Sequence, residues 1–224
     1  MSEIRVENII GETGTDAVKF TKGINATGIV TATSFVGSGS SLTGISGFDP
    51  SNHMVLEEFC SPCDGSVIAL QDGNHTLTQP TVYGATDTLT DIVGSVFTYT
   101  PPSGTSQVVY DYRFTISNNG GSEPLLSFAL YLDSNEVTKY RRVFRAQYEF
   151  EYSVRWGFNI GGSADTTTGR VASWTSAKTM KVQVCRYSSS YPAILHETNH
   201  WTTGSTDQFN APTLTIKAIG TQAS

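Results

Sequence analysis

The sequence predicts an all-β protein with an antiparallel jelly-roll β-sandwich at its C-terminal end. Only 15% of the 224 residues are charged, while 21 are glycine and many others are serine or threonine. This composition is typical of strands joined by tight turns. In residues 144–160, apolar and polar side chains alternate without a slip. No window longer than a turn or two has helical periodicity, so strands are the predicted element throughout.

The alternating run over 144–160 predicts a strand with one buried and one solvent-facing side. At about 3.3 Å per residue it would span about 55 Å, far longer than the usual strand of about 5 or 6 residues. We therefore expect the run to bend or to cross from one sheet to the other.

Turn signals rich in glycine, proline and asparagine separate the other predicted strands. The strands are expected at 54–60, 66–71, 95–100, 107–116, 125–132, 170–174, 178–187, 192–198 and 212–219. About ten short strands of this kind predict a β-sandwich, here a jelly roll over residues 54–224.

The first 53 residues have a different character. Residues 1–22 predict two short strands around a bend and are expected to attach the chain to a larger particle, and residues 48–53 form a turn-rich joint. Between them, residues 23–47 contain no charge, and fifteen of these 25 positions are Gly, Ser or Thr. Such a segment is either a flexible linker or a strand-turn unit of a fibre shaft in which three chains intertwine. Regularly placed apolar residues favour the shaft, with the shared axis formed by Ile24, Ile29, Phe35, Leu42 and Ile45.

Residues 28–45 read GIVTATSFVGSGSSLTGI. They resemble the G-I-V-T-A-T-S-F-x-G-x-G-S-x-L-T-G-I unit that repeats in fibre-like structural proteins of tailed phages, especially marine cyanophages. The resemblance implies a trimeric shaft, and the single copy here implies a short stalk.

Three stretches of the C-terminal part also resemble cyanophage virion proteins. They are residues 99–110 (YTPPSGTSQVVY), residues 173–179 (SWTSAKT) and residues 195–198 (LHET) before Trp201. This second resemblance implies a trimeric jelly-roll head like those of complement C1q or tumour necrosis factor.

Charge and hydropathy exclude several classes of partner. The net charge is -6, the pI is about 5.1, and Arg141 with Arg142 is the largest basic cluster, so no nucleic-acid partner is expected. The chain start lacks an apolar signal sequence, and no run of roughly 18 apolar residues predicts membrane insertion. Three cysteines do not make a full disulfide framework and suit folding in a bacterial host cytoplasm.

Possible catalytic and metal-binding motifs have simpler structural explanations. Cys60-Ser61-Pro62-Cys63 would need further ligands such as Cys185 to hold zinc, and whether Cys60 and Cys63 pair stays open. His196-Glu197-Thr198-Asn199-His200 resembles a zinc-protease motif, which requires a helix where a strand is expected. Two carboxylates for glycan cleavage, Glu149 and Glu151, sit on the polar face of a predicted strand. No enzymatic activity, metal or cofactor is therefore expected.

Aromatic residues in the last quarter of the chain suggest a binding surface. Tyr187, Tyr191 and Trp201 flank Ser- and Thr-rich loops, where binding residues commonly lie. The alternative is that they pack under their own loops or in a trimer interface.

Together these features predict a virion structural protein of a phage: a short homotrimeric fibre that contacts other virion proteins. Its head is expected to attach to the host surface, through a glycan or a protein, or to another virion component. One alternative is a capsid or neck decoration protein without a receptor. Another, from a different class, is a glycan-degrading tail-spike enzyme.

Overall fold

The computed structural model describes residue 27 and residues 54–118, 123–145, 149–201 and 205–221, with backbone alone at 200, 201 and 205–207. The chain divides into Met1–Gly44 and Ile45–Ser224, and the description concerns the second unit. Apart from Thr27, which is exposed, the predicted segments 1–22, 23–47 and 48–53 lie outside the described residues, as do all five predicted shaft residues.

Sixteen strands and one 3-10 turn, at Thr138–Tyr140, make up the described chain. The strands are β1 Met54–Pro62, β2 Val67–Leu70, β3 Gly73–Thr76, β4 Tyr83–Gly84, β5 Thr90–Asp91, β6 Phe97–Tyr99, β7 Thr105–Ser117, β8 Leu125–Leu132, β9 Asn135–Glu136, β10 Arg142–Arg145, β11 Phe150–Asn159, β12 Lys178–Arg186, β13 Ile194–Leu195, β14 Glu197–Trp201, β15 Ser205–Phe209 and β16 Thr213–Gly220.

Two antiparallel sheets form the body of the molecule. The first has the order β1-β16-β7-β13-β4, with β11 also paired to β7. The second has the order β10-β8-β12-β5, with β6 paired to β12 and β9 to β8. Two hairpins, β2–β3 and β14–β15, stand apart from these sheets.

Strand order identifies the architecture. If β1, β6, β7, β8, β10, β11, β12 and β16 are counted as strands one to eight, the first sheet runs one, eight, three, six and the second runs two, seven, four, five. An eight-stranded double-sheet arrangement of this kind is a jelly roll. The predicted all-β class and jelly-roll sandwich are confirmed.

Alternating apolar side chains build the core between the sheets. Along β7 the inward residues are Val108, Tyr110, Tyr112, Phe114 and Ile116, all essentially inaccessible to solvent. The ring of Phe128 on β8 crosses the gap: its centroid is 6.0 Å from that of Phe114 and 4.5 Å from that of Tyr152 on β11, with which it stacks.

The long alternating run passes between the two sheets, as expected. Its first part is β10, paired with β8 in the second sheet, and its last part is β11, paired with β7 in the first. Residues 146–148 between them lie outside the described residues.

Two predicted strands are wrong in detail. In the predicted strand 170–174 only Arg170 and Val171 make isolated bridges, because the turns at Gly162 and Gly169, both with positive φ, fold the segment back on itself. The predicted strand 192–198 is divided by His196, whose φ of 64° breaks the extended backbone between β13 and β14. Among the described residues, no helix is long and apolar enough to cross a membrane.

Candidate functional site

The sandwich has two ends that carry different side chains. At one end β7 stops at Ser117, β8 starts at Leu125 and β12 stops at Arg186; we call it the Tyr187 end. At the opposite end β1 starts at Met54 and β7 starts at Thr105; we call it the Met54 end. The loops at these ends are where binding residues are normally placed.

Tyr187 and Tyr191, two of the three predicted binding residues, come together at the Tyr187 end. The Tyr187 amide donates to the Leu125 carbonyl at 2.8 Å and prolongs the β12–β8 pairing. A turn follows, in which the Tyr191 amide donates to the Ser188 carbonyl at 3.0 Å. The two rings meet edge to face with centroids 5.7 Å apart, and Tyr187 is 74% exposed. Tyr187 is therefore an exposed aromatic side chain, packed against the half-buried Tyr191 on a backbone-bonded turn.

Other exposed aromatic residues lie near this end. Phe150, at the start of β11, is 46% exposed, and Phe209, at the end of β15, is 42% exposed. Trp201, the third predicted residue, lies on β14, and its side chain is outside the described atoms.

His196 links β13 to β14 beneath this surface. Its side chain is fully buried against the rings of Tyr83 and Phe114, with centroids 5.6 and 6.0 Å away. Neither ring nitrogen makes a hydrogen bond of normal geometry with a described residue. Burial lowers the pKa of His196 to about 4, and the Val93 carbonyl only partly opposes this shift. A neutral imidazole at this position is a packing group.

The motif of His196, Glu197 and His200 does not have the helical geometry of a zinc protease. Glu197–Trp201 is a strand paired with β15, and the Glu197 carboxylate accepts from the Ser117 hydroxyl at 2.9 Å. Residues 197–201 form a strand, as expected, whereas His196 lies between two strands. Glu149 and Glu151, considered for glycan cleavage, are both exposed.

The cysteines have different environments, and none of the three forms a disulfide. Cys60 is exposed on β1, whereas Cys63 is fully buried and its thiol lies 3.5 Å from the Gly94 carbonyl. Burial first, and the Asp64 carboxylate second, raise the pKa of Cys63 to about 12. Among the described residues, no three His, Cys, Asp or Glu side chains are grouped so as to hold a metal ion.

A polar concavity at the Met54 end was not anticipated from the sequence. Its volume is about 300 Å³, and its polar lining includes Gln107, Asn159 and Arg170. These residues belong to three separate segments that only strand pairing brings together. The one local signal is Gly157, which has no side chain on the polar face of β11.

Comparisons with known proteins give weak likenesses. No protein-family model matches the sequence. No curated protein matches it either. Among solved structures, the chain is similar to the structure of infectious bursal disease virus Gx strain, with 10% identity and a TM-score of 0.25 over 68% of this chain and 37% of that chain.

It is also similar to the structure of a marine algae virus of the order Picornavirales, with 10% identity and a TM-score of 0.19 over 99% of this chain and 90% of the other. For the Gt strain of infectious bursal disease virus, the identity is 10% and the TM-score 0.18 over 70% and 44% of the two chains. The chain thus spans less than half the length of the two bursal disease virus chains. Scores this low do not establish a shared fold, and the jelly-roll assignment rests on strand order.

Proposed function

We propose that this chain is a non-enzymatic structural protein of a tailed-phage virion, a short homotrimeric fibre whose jelly-roll head attaches to the host surface. The uncharged segment 23–47, with its phage-fibre resemblance, supports the stalk. A sandwich head with aromatic loops supports the attachment role.

The observation that carries the attachment role is the position of the Tyr187–Tyr191 pair. β1, the first described strand, begins at the Met54 end, and the exposed Tyr187 with the half-buried Tyr191 lies at the opposite end of the same sandwich. Tyrosine is well suited to a binding surface because it offers a large apolar ring and a hydroxyl with only two side-chain torsions to fix. Three such sites on one trimer would bind by avidity.

Competition for host cells tests the proposal. Purified full-length protein should block adsorption of the phage, and the double variant Tyr187→Ala/Tyr191→Ala should block at least about tenfold less well, since aromatic anchors commonly contribute 2 kcal/mol or more. Tyr131→Ala is the matched control, because Tyr131 lies on the outer side of β8 beside Lys181, whose ammonium is 5.6 Å from the ring.

Electron microscopy of particles labelled on this chain separates attachment from a capsid or neck decoration role. Label at the end of the tail or fibre agrees with the proposal. Label confined to the capsid or neck, together with no block of adsorption, would replace it with the decoration role.

A further inference from the structure

The concavity at the Met54 end is lined by Ser106, Gln107, Asn159, Ile160, Arg170 and Ile219. Its volume of about 300 Å³ reaches the lower limit of small-molecule clefts, about 300–1,000 Å³. It lies where β7 begins and where β11 and β16 end, so its walls come from three paired strands and one loop.

Two amide side chains are fixed in one orientation. The Gln107 side chain lies over Gly157, where an added Cβ would be 3.0 Å from Gln107 Nε2 and 3.2 Å from its Cδ. From there Gln107 Nε2 donates to Asn159 Oδ1 at 2.9 Å. This bond leaves the Gln107 carbonyl oxygen to accept and the Asn159 amide nitrogen to donate, a combination that matches neighbouring hydroxyl groups.

Arg170 supplies a positive charge that forms no ion pair with a described carboxylate. Among the described residues, the arginines that pair with a carboxylate are Arg113, Arg141, Arg145 and Arg186. Arg170 is not among them. Its Nη1 donates to the Gly161 carbonyl at 3.3 Å, which holds the guanidinium against the loop and leaves its other N–H groups as donors. A guanidinium of this kind pairs most strongly with a carboxylate, through two parallel hydrogen bonds.

Backbone hydrogen bonds tie this loop to the strands of the site. The Gly161 amide donates to Val171 at 2.9 Å, the Val171 amide to Asn159 at 3.1 Å, and the Ile160 amide to Ser106 at 2.8 Å. The backbone that carries the polar side chains is therefore fixed before any ligand arrives, which lowers the entropic cost of binding.

We propose that this concavity binds one uronic-acid residue of an acidic polysaccharide. The ligand carboxylate pairs with Arg170, two ring hydroxyls bond to Gln107 and Asn159, and the apolar side of the ring contacts Ile219. The choice of a saccharide over any other carboxylate rests on the host-attachment function proposed above, to which this concavity adds a second contact at the end opposite Tyr187.

Titration of the full-length protein with sodium glucuronate, glucose and sodium acetate tests the site. We expect saturable glucuronate binding with a Kd of about 1 mM. Glucose and acetate should each bind at least about tenfold more weakly, because glucose lacks the carboxylate that pairs with Arg170 and acetate lacks the sugar ring and its hydroxyl groups. Equal affinity for glucose would overturn the acidic class, and equal affinity for acetate would overturn the saccharide. Absence of saturable glucuronate binding would overturn the site.

Three variants locate the binding, with thermal unfolding as the check that each is folded. Arg170→Gln should weaken glucuronate binding at least about tenfold through loss of a charged hydrogen-bond pair. Asn159→Asp keeps the side-chain shape and the acceptor for Gln107 but repels a carboxylate, so it should weaken binding similarly even if Arg170→Gln does not fold. Arg155→Gln is the matched control, because Arg155 is an exposed arginine of β11 outside the concavity, and it should bind like wild type. If Arg155→Gln weakened binding as much as Arg170→Gln, the concavity would not be the site.

Binding to host cells separates this site from the attachment function. If wild-type protein binds glucuronate but neither host cells nor their extracted polysaccharide, attachment fails and the site stands. If Arg170→Gln binds host cells as wild type does and wild type ignores glucuronate, attachment stands and the site fails.

Discussion

His196 combines a buried polar ring with an unusual backbone. Its φ of 64° lies in the left-handed region, which histidine tolerates better than most residues. The adjoining backbone is bonded on both sides: the His196 amide donates to Thr115, and the His196 carbonyl accepts from Asn210. Such a residue fixes the corner from which the β14–β15 hairpin leaves the first sheet, and its protonation would place an uncompensated charge in the core.

Acid should therefore destabilise the head through His196. The pKa is about 4 in the folded state and 6.5 in the unfolded chain, so the unfolded chain binds the proton first as the pH falls. The contribution is complete above pH 6.5 and is lost on going down to pH 4, about 3 kcal/mol in total at about 1.4 kcal/mol per pH unit. Urea unfolding from pH 7.5 to pH 4 measures it.

His196→Phe keeps an aromatic ring and removes the titrating group. We expect the variant to lose most of the pH dependence in this window, whatever constant penalty its backbone angle adds. A variant whose stability still falls as steeply as that of wild type would assign the acid sensitivity to other groups.

Gly220 is a second position where one residue decides local structure. A Cβ at Gly220 would lie 2.1 Å from the Gly104 carbonyl oxygen and 2.7 Å from the Thr105 Cα, both backbone atoms that cannot rotate away. Gly220→Ala should destabilise the head by about 3 kcal/mol, the upper range for overpacking. At Gly84 the nearest atom is 3.9 Å away, so Gly84→Ala should cost less than about 1 kcal/mol. Equal midpoints of chemical denaturation for the two variants would contradict this account.

At the scale of elements, the contact between the two sheets depends on a few rings. Phe128 of the second sheet contacts Phe114 and Tyr152 of the first and is 2% exposed. Phe128→Ala should reduce the free energy of unfolding by about 3–5 kcal/mol, because the neighbouring strands cannot collapse into the space. Phe150→Ala, at an exposed aromatic site in β11, should reduce it by less than about 1 kcal/mol. Denaturant unfolding of both variants makes the comparison.

Strands were predictable where their pattern is local. In β7 and β12 apolar and polar residues alternate along consecutive positions, so the sequence predicted both strands to within two residues of their ends. For β8 the predicted bounds, Leu125 and Leu132, are those of the structure. The short strands β4 and β5 carry too few residues to show a period. The segment 170–174 has the composition of a strand, but the turns that precede it set the direction of its backbone. Trp174 is buried, and its indole N–H donates to the Tyr99 carbonyl.

Sites were predictable only where one loop carries them. Tyr187 and Tyr191 are four residues apart on a single turn, so sequence alone could put them together. The concavity joins Gln107, Asn159 and Arg170, and the first two are neighbours only through the β7–β11 register, which no local pattern specifies. Local sequence patterns do not show which strands pair when they are far apart in the chain.

At the scale of the whole molecule, the head has a hydrophobic core of its own. The sandwich from β1 to β16 contains the entire described set of buried apolar residues. Residues 23–47 contain few large apolar side chains and no charge, so one copy cannot offset the entropy of ordering its own backbone. Three copies around one axis could bury their apolar side chains against one another.

The full-length chain should therefore sediment as a trimer of about 73 kDa, three times the 24.2 kDa of one chain.

Deletion of residues 1–47 should leave the urea midpoint of the head unchanged, because β1 and all its partners remain, but should abolish incorporation into virions. If the truncated chain is also monomeric, its block of phage adsorption should fall by about a hundredfold or more, since avidity is lost while each head keeps its own affinity. Sedimentation equilibrium, urea unfolding and adsorption inhibition on one preparation separate these effects. If the full-length chain is a monomer, the proposal that residues 23–47 of three chains share an axis is wrong. If the truncated chain is incorporated into virions normally, the contact with the virion lies in the head.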